Sequence, residues 1–137
     1  MKICICSSFK YYKEVLDLKK TLCEKNSDVE VLIPIPNKYF ELAEPYKTDY
    51  TNKLEDKVLK EYWEHVLNHL KRIDQADIVY ILSKDGYVGT GVGLEIGYCH
   101  AKNKILYSSE EIRDIAISCF INKVVPTEKI SNLLKQK

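Results

Sequence analysis

The sequence predicts an α/β domain whose five-stranded parallel sheet carries helices on both faces. Three observations predict it. Short β-branched apolar runs alternate with stretches of helical periodicity. Residues 78–83 (IVYILS) are apolar almost throughout, as a central strand covered on both faces requires. The 137 residues, 45% hydrophobic and 30% charged, suffice for one core without disulfides or a structural metal. No repeat, low-complexity segment or linker divides the chain, so residues 1–137 are read as one domain.

Residues 2–7 (KICICS) form the first strand. Residues 11–26 place Tyr11, Val15, Leu18 and Leu22 at helical spacing, and Asn26-Ser27-Asp28 breaks the helix. Residues 29–34 (VEVLIP) form strand two. Residues 35–52 lack periodicity and hold Pro36, Pro45, Tyr39, Tyr46 and Tyr50, the signature of a functional loop, in which Tyr39 or Tyr46 is placed to stack on a base. Leu54, Val58, Tyr62, Val66, Leu70 and Ile73 mark a long amphipathic helix, with Lys53 to Lys60 as its solvated face. After strand three comes a glycine-rich stretch, then a helix to about Lys102 and strand four at 105–108. A weaker helix at 111–119 and a short fifth strand at 123–125 follow. The last helix is one that Thr127 is expected to cap.

Composition excludes several functions. Lys and Arg number 21 against 20 Asp and Glu, so the net charge of +1 lacks the basic excess of a polymeric nucleic-acid binder. No apolar run approaches the roughly 18 residues of a membrane span. Strand character begins at Lys2 with no leader-like segment, which predicts a cytoplasmic protein. The five cysteines, Cys4, Cys6, Cys23, Cys99 and Cys119, include no Cys-x-x-Cys pair and are expected to stay reduced. Cys4 and Cys6 share one face of the first strand and read as small buried hydrophobes. His65 and His69 share a helix face, but no third ligand stands at a sensible spacing, so no metal and no cofactor is expected.

Parallel sheets bind ligands at the carboxyl ends of their strands, where strand order reverses, and strands one and three are the expected neighbours there. The loop after strand three, 86–97, reads Gly-Tyr-Val-Gly-Thr-Gly-Val-Gly-Leu-Glu-Ile-Gly. Glycines 86, 89, 91 and 93 let backbone N–H groups approach an anion or sugar closely, and a helix N-terminus adds a field that favours negative charge. The run is neither a Walker A loop, lacking Gly-Lys-Ser/Thr, nor a Rossmann fingerprint, which follows strand one. Two roles are open to Glu95. It is either a carboxylate able to attack an anomeric carbon or a first-turn acidic residue favoured by the helix dipole.

Residues 85–104, preceded by Ile73-Asp-Gln-Ala-Asp-Ile-Val, resemble the nucleoside 2-deoxyribosyltransferase superfamily, most closely its 2'-deoxynucleoside 5'-monophosphate N-glycosidase branch. Strand one running into Ser7-Ser8-Phe9, and Ile117-Ser-Cys-Phe-Ile-Asn122 before the last strand, fit the same pattern. The resemblance implies a flavodoxin-like, Rossmann-like three-layer sandwich, assembled as a homodimer or higher homo-oligomer. It implies cleavage or exchange of an N-glycosidic bond in a small nucleoside or nucleotide, with Glu95 as nucleophile. The family's assisting aspartate, eight residues before Asp77, is replaced by His69, an imidazole suited to protonating a leaving base or bonding a sugar hydroxyl. Asp77 itself is read as a capping or turn residue.

The branch contacts phosphate through a serine six residues before the nucleophile, where this chain has Gly89, followed by Thr90. Gly91 and Gly93 continue the expected binding turn. Ser7, Ser8, Phe9 and Lys10 line the first loop, with Lys10 as a point charge in place of the branch's usual arginine. Ser118, 23 residues after Glu95, matches a serine that the family supplies from a neighbouring subunit. Phosphoribohydrolases of the cytokinin-activating type are similar too, but their Pro-Gly-Gly-x-Gly-Thr lead-in is missing. The other class is a non-catalytic nucleotide-binding or sensing module, in which His69 marks lost chemistry.

Overall fold

The computed structural model describes residues 1–36 and 56–137, with residues 56–58 as backbone only. The expected stacking tyrosines Tyr39 and Tyr46 lie outside the described residues. The elements run β1 (Lys2–Cys6), a 3-10 turn (Phe9–Tyr11), α1 (Tyr12–Lys25), β2 (Glu30–Leu32), α2 (Asp56–Gln75), β3 (Ile78–Ile81) and α3 (Thr90–Ala101). β4 (Ile105–Ser108), α4 (Ile115–Ser118), β5 (Lys123–Val124) and α5 (Thr127–Lys135) complete the fold.

All strand pairs are parallel, and their order is β2-β1-β3-β4-β5. Consecutive strands β1 and β2 lie side by side, then the chain crosses back so that β3 pairs with the other edge of β1, with Cys6 opposite Ile81. That reversal creates the crevice expected between strands one and three.

Alternation along each strand divides the interior into two halves. Ile3, Ile5, Tyr80 and Tyr107 pack with Val15, Leu18 and Leu22 of α1 and with Ile130 and Leu134 of α5. Cys4, Cys6, Val79, Ile81 and Leu106 face the opposite way, onto Ile73 of α2 and Val92, Ile96 and Cys99 of α3. Sheet and two helical layers make the three-layer sandwich.

Polar contacts fix the layers at the amino edge. The Asp77 carboxylate accepts from the Lys2 N–H at 2.8 Å, the structural role expected of it. Lys104 Nζ donates to the Asp74 and Ala76 carbonyls, and Tyr98 donates to the Asp74 carboxylate.

Four expectations are corrected. β2 is shorter than 29–34. The helix expected at 111–119 shrinks to one turn, capped by the Asp114 carboxylate, because Arg113 N–H is held by the Gly86 carbonyl at 3.1 Å. Thr127 does not cap α5. Pro126 is the N-cap residue, and Thr127 is already in the first turn. Tyr80 is fully buried, its hydroxyl donating to the Val125 carbonyl at 2.7 Å, but Tyr62 is only half-buried.

Candidate active site

Cys6 ends β1, so its side chain emerges at the carboxyl edge of the sheet, beneath the crevice. Its Sγ is hydrogen-bonded to His69 Nε2 of α2 at 3.3 Å, and the same Nε2 lies 3.8 Å from Glu95 Oε1 of α3. Three residues from three elements, separated by up to 89 positions, thus meet in one cluster. Cys6 is sealed from solvent, the His69 side chain is 7% exposed and the Glu95 side chain 20%.

Burial governs the protonation of this cluster. Desolvation pushes the Glu95 carboxyl up to about 7, a rise partly offset by a hydrogen bond from Cys6. Desolvation, with the charges of Arg72 and His65 behind it, lowers His69 to about 4. The imidazole is therefore neutral at physiological pH, and the carboxyl is poised between its two forms. Hydrogen bonding to Cys4 and burial raise the Cys6 thiol, so it stays protonated. Two buried atoms here, His69 Nδ1 and Glu95 Oε2, have no hydrogen-bond partner among the described residues. Unsatisfied buried polar atoms are scarce in folded proteins, and a pair on adjacent residues marks a place for a ligand's donors and acceptors.

The glycine turn sits over this cluster, but its helix starts earlier than expected. Gly89 is the N-cap of α3, with φ −79° and ψ 172°, and the Gly93 N–H already donates to the Gly89 carbonyl at 2.9 Å. Gly91 and Gly93 are therefore helical. Glu95 lies in the second turn, and the first turn holds no acidic residue, which removes the dipole-capping role. Among the described residues no side chain caps the helix, so its leading N–H groups are uncapped. Gly86 is a glycine for a different reason. Its φ is +72°, and a Cβ there would meet the Glu111 carbonyl at 2.6 Å.

The first loop approaches the same turn. Lys10 Nζ stands 3.5 Å from the ring centroid of Tyr87, and the Tyr11 and Tyr87 rings meet edge to face at 6.4 Å. Phe9 stacks with Tyr12. Ser8 is half-buried, whereas Ser7 is buried with its hydroxyl donating to the Leu82 carbonyl at 2.8 Å, so Ser7 tethers the loop. Ser118 spends its hydroxyl on the Ile115 carbonyl of its own turn and borders a cleft of about 230 Å³ with Ser108, Ile121 and Asn122. His100 is exposed against the Phe120 ring.

A larger cleft, about 660 Å³, opens between α1, α5 and the carboxyl ends of β3 and β4, lined by residues such as Glu14, Lys84, Ser109 and Thr127. Glu95 and His69 do not line it, and Glu14 and Lys84 on its wall form a 2.8 Å ion pair. This cleft and the Cys6–His69–Glu95 cluster lie on opposite faces of the sheet.

The sequence brought out Glu95 and His69 but passed over Cys6 and Cys4 as polar participants. The signal was their shared face at the carboxyl end of β1, opposite the helix that carries the glutamate.

No protein-family model matches the chain, and no curated protein matches it in sequence. Two solved structures align with it along nearly their whole length. A conserved protein from Enterococcus faecalis V583 shares 13% identity with a TM-score of 0.63, covering 99% of this chain and 98% of its own. A 2-deoxyribosyltransferase from the psychrotolerant bacterium Bacillus psychrosaccharolyticus shares 20% identity with a TM-score of 0.62, covering 96% of this chain and 91% of its own. At such identities the likeness is one of architecture, and the chain has the three-layer α/β fold of that 2-deoxyribosyltransferase.

Proposed function

We propose that the chain is a 2-deoxyribosyltransferase-like enzyme that breaks the N-glycosidic bond of a nucleoside or its 5'-monophosphate, with Glu95 as nucleophile. One observation carries this reading. Beside the strand-order reversal, a carboxyl oxygen with no partner among the described residues belongs to a group 3.8 Å from a neutral imidazole whose other nitrogen is likewise unpartnered.

In its ionised form Glu95 attacks C1' and the C1'–N bond breaks, its electron pair leaving with the base, which takes a proton from water. A second water then attacks C1' of the glycosyl ester and releases the sugar, or an incoming base does so and the reaction is transfer. His69 is too weak a base to carry a proton at neutral pH. Its role is to hydrogen-bond a sugar hydroxyl through Nδ1 and to hold the carboxylate's position. The uncapped N–H groups of α3, together with Ser8, Thr90 and Lys10, meet a 5'-phosphate where one is present. In a homodimer, Ser118 would join the partner's crevice.

The test is a panel of nucleosides and 5'-monophosphates scored for free base by chromatography, alongside Glu95→Gln. Base released by the native chain and lost in the variant supports the reading. Equal release by both would overturn it. Thermal stabilisation by a nucleotide without any base would instead favour the sensing module.

A further inference from the structure

Cys4 lies one pleat behind Cys6 on the same face of β1. Among the described residues, the two sulfurs and a ring nitrogen of His69 lie within 4.8 Å of one another. All three residues are buried, and none of their thiols is engaged in a disulfide. We propose that Cys4, Cys6 and His69 form a binding site for one zinc ion, with the Glu95 carboxylate as the fourth ligand.

The donor spacing suits the ion. In a tetrahedral zinc site with Zn–S near 2.3 Å and Zn–N near 2.0 Å, donors stand about 3.5–3.8 Å apart. Cys6 Sγ and His69 Nε2 are already at 3.3 Å, and Glu95 Oε1 is 3.8 Å from that nitrogen. The donor chemistry selects the metal: two sulfurs and an imidazole suit a thiophilic d10 cation and exclude Mg2+ and Ca2+, which take oxygen ligands. Two thiolates and a neutral imidazole balance Zn2+, and the Glu95 carboxylate brings the four-ligand site to one net negative charge. Each thiol gives its proton to solvent as its Zn–S bond forms, and the Glu95 carboxyl gives up its own wherever it is still protonated, so at least two protons leave per ion bound. A second observation falls on the same cluster: Glu95 Oε2 is a buried carboxylate oxygen with no partner among the described residues.

Binding would occupy His69 Nε2 and engage the Glu95 carboxylate, so zinc would switch off base release. That consequence rests on Glu95 being the nucleophile. The site itself does not.

The experiment reads binding without activity. Chelator-stripped protein is titrated with Zn2+ against a chromophoric chelator, in the native chain and in the Cys23→Ser/Cys119→Ser variant, which removes the two exposed thiols. One zinc per chain is expected in both, with at least two protons released. Cys4→Ala and Cys6→Ala are expected to weaken retention more than about 100-fold. Because both thiols are core residues, zinc-edge X-ray absorption of the loaded native chain provides a check that needs no variant. A shell of two sulfurs with nitrogen and oxygen is expected. No zinc retained, or a shell without sulfur, would overturn the site. If zinc is retained but leaves base release unchanged, the inhibitory role fails and the site stands. If the stripped chain releases no base, the nucleophile reading fails and zinc retention still decides the site.

Discussion

Strand β1 supplies both halves of the interior in alternation: Ile3 and Ile5 to the α1–α5 side, Cys4 and Cys6 to the α2–α3 side. All four are sealed from solvent, so depth does not distinguish them. On the isoleucine side the buried polar groups mostly find partners, as when Tyr80 donates to Val125 and Asn26 to Ser131, with only the Asn26 Oδ1 left over among the described residues. On the cysteine side two unpartnered atoms fall on residues 3.8 Å apart, and both are titratable. One half of the core is filled by shape and the other by chemistry.

The sharpest way to break that comparison is to neutralise the chemical half. Glu95→Gln keeps the volume and removes the attacking oxygen, so base release should fall by more than about a thousandfold, the scale lost with a covalent nucleophile. Melting at pH 8 should rise in the same variant, because a buried carboxylate is no longer ionised there. A variant that loses activity only as far as it loses folded protein would put Glu95 in the packing half.

Next in size is the contrast within β1 itself. Ile5→Ala removes a fully buried branched side chain and should cost about 2–5 kcal/mol in denaturant unfolding, with the folded fraction keeping its turnover. Cys6→Ala removes one sulfur and should cost less than about 2 kcal/mol, yet alter turnover through His69 and Glu95. Equal effects on both readouts would erase the distinction between the two faces.

The third contrast is electrostatic and is read in chelator-treated protein. His69 has its folded pKa depressed to about 4, so its contribution is present above its ordinary value near 6.5 and is lost as pH falls through 4. Glu95 has its folded pKa raised to about 7, so its contribution is present below about 4.5 and is lost as pH rises through 7. Each is worth about 3 kcal/mol, and between about pH 4.5 and 6.5 they oppose each other. Relative to the native chain, Glu95→Gln should therefore gain stability as pH rises across that window, and His69→Asn should lose it. Unfolding titrations at four or five pH values check this, and slopes of the same sign would refute the pairing. Base release by the native chain should climb with pH through about 7 as the carboxyl ionises.

Much of this architecture was legible because hydrophobic periodicity reports burial directly. The all-apolar β3 and the Val15, Leu18, Leu22 stripe packed where their spacing placed them. The pairing of β1 with β3 followed from parallel-sheet topology rather than from any single residue. Within the site, the glycine-rich run brought out Glu95 as a candidate, but the choice of nucleophile over dipole partner, and any role for His69 beside it, came only from the resemblance of residues 69–104 to a known family. Cys6 was missed because its partner is 63 residues away, and sequence spacing cannot show a contact between a strand end and a distant helix. The helix start was misplaced because Gly91 and Gly93 read as turn, although their neighbours' hydrogen bonding carries the helix through them. Thr127 was misread for a related reason. Pro126 fixes the chain direction one residue earlier, leaving Thr127 inside the first turn.

Gly91 provides the smallest expected effect and the finest test. A Cβ built there meets nothing within 4 Å among the described residues, so their packing gives no reason for glycine inside α3. Glycine in a helix costs roughly 0.5–1 kcal/mol relative to alanine, and Gly91→Ala should raise stability by about that much. If the open space belongs to a ligand lying against the helix N-terminus, the added methyl should weaken nucleotide-induced thermal stabilisation and raise KM while leaving kcat per bound substrate nearly unchanged. Gly86→Ala is the opposite control: its positive φ and the 2.6 Å approach to Glu111 make it destabilising whatever binds. A Gly91→Ala protein that is more stable and binds nucleotide as before would show that the space above α3 is merely solvent, and would move the ligand toward the Lys10–Tyr87 side of the crevice.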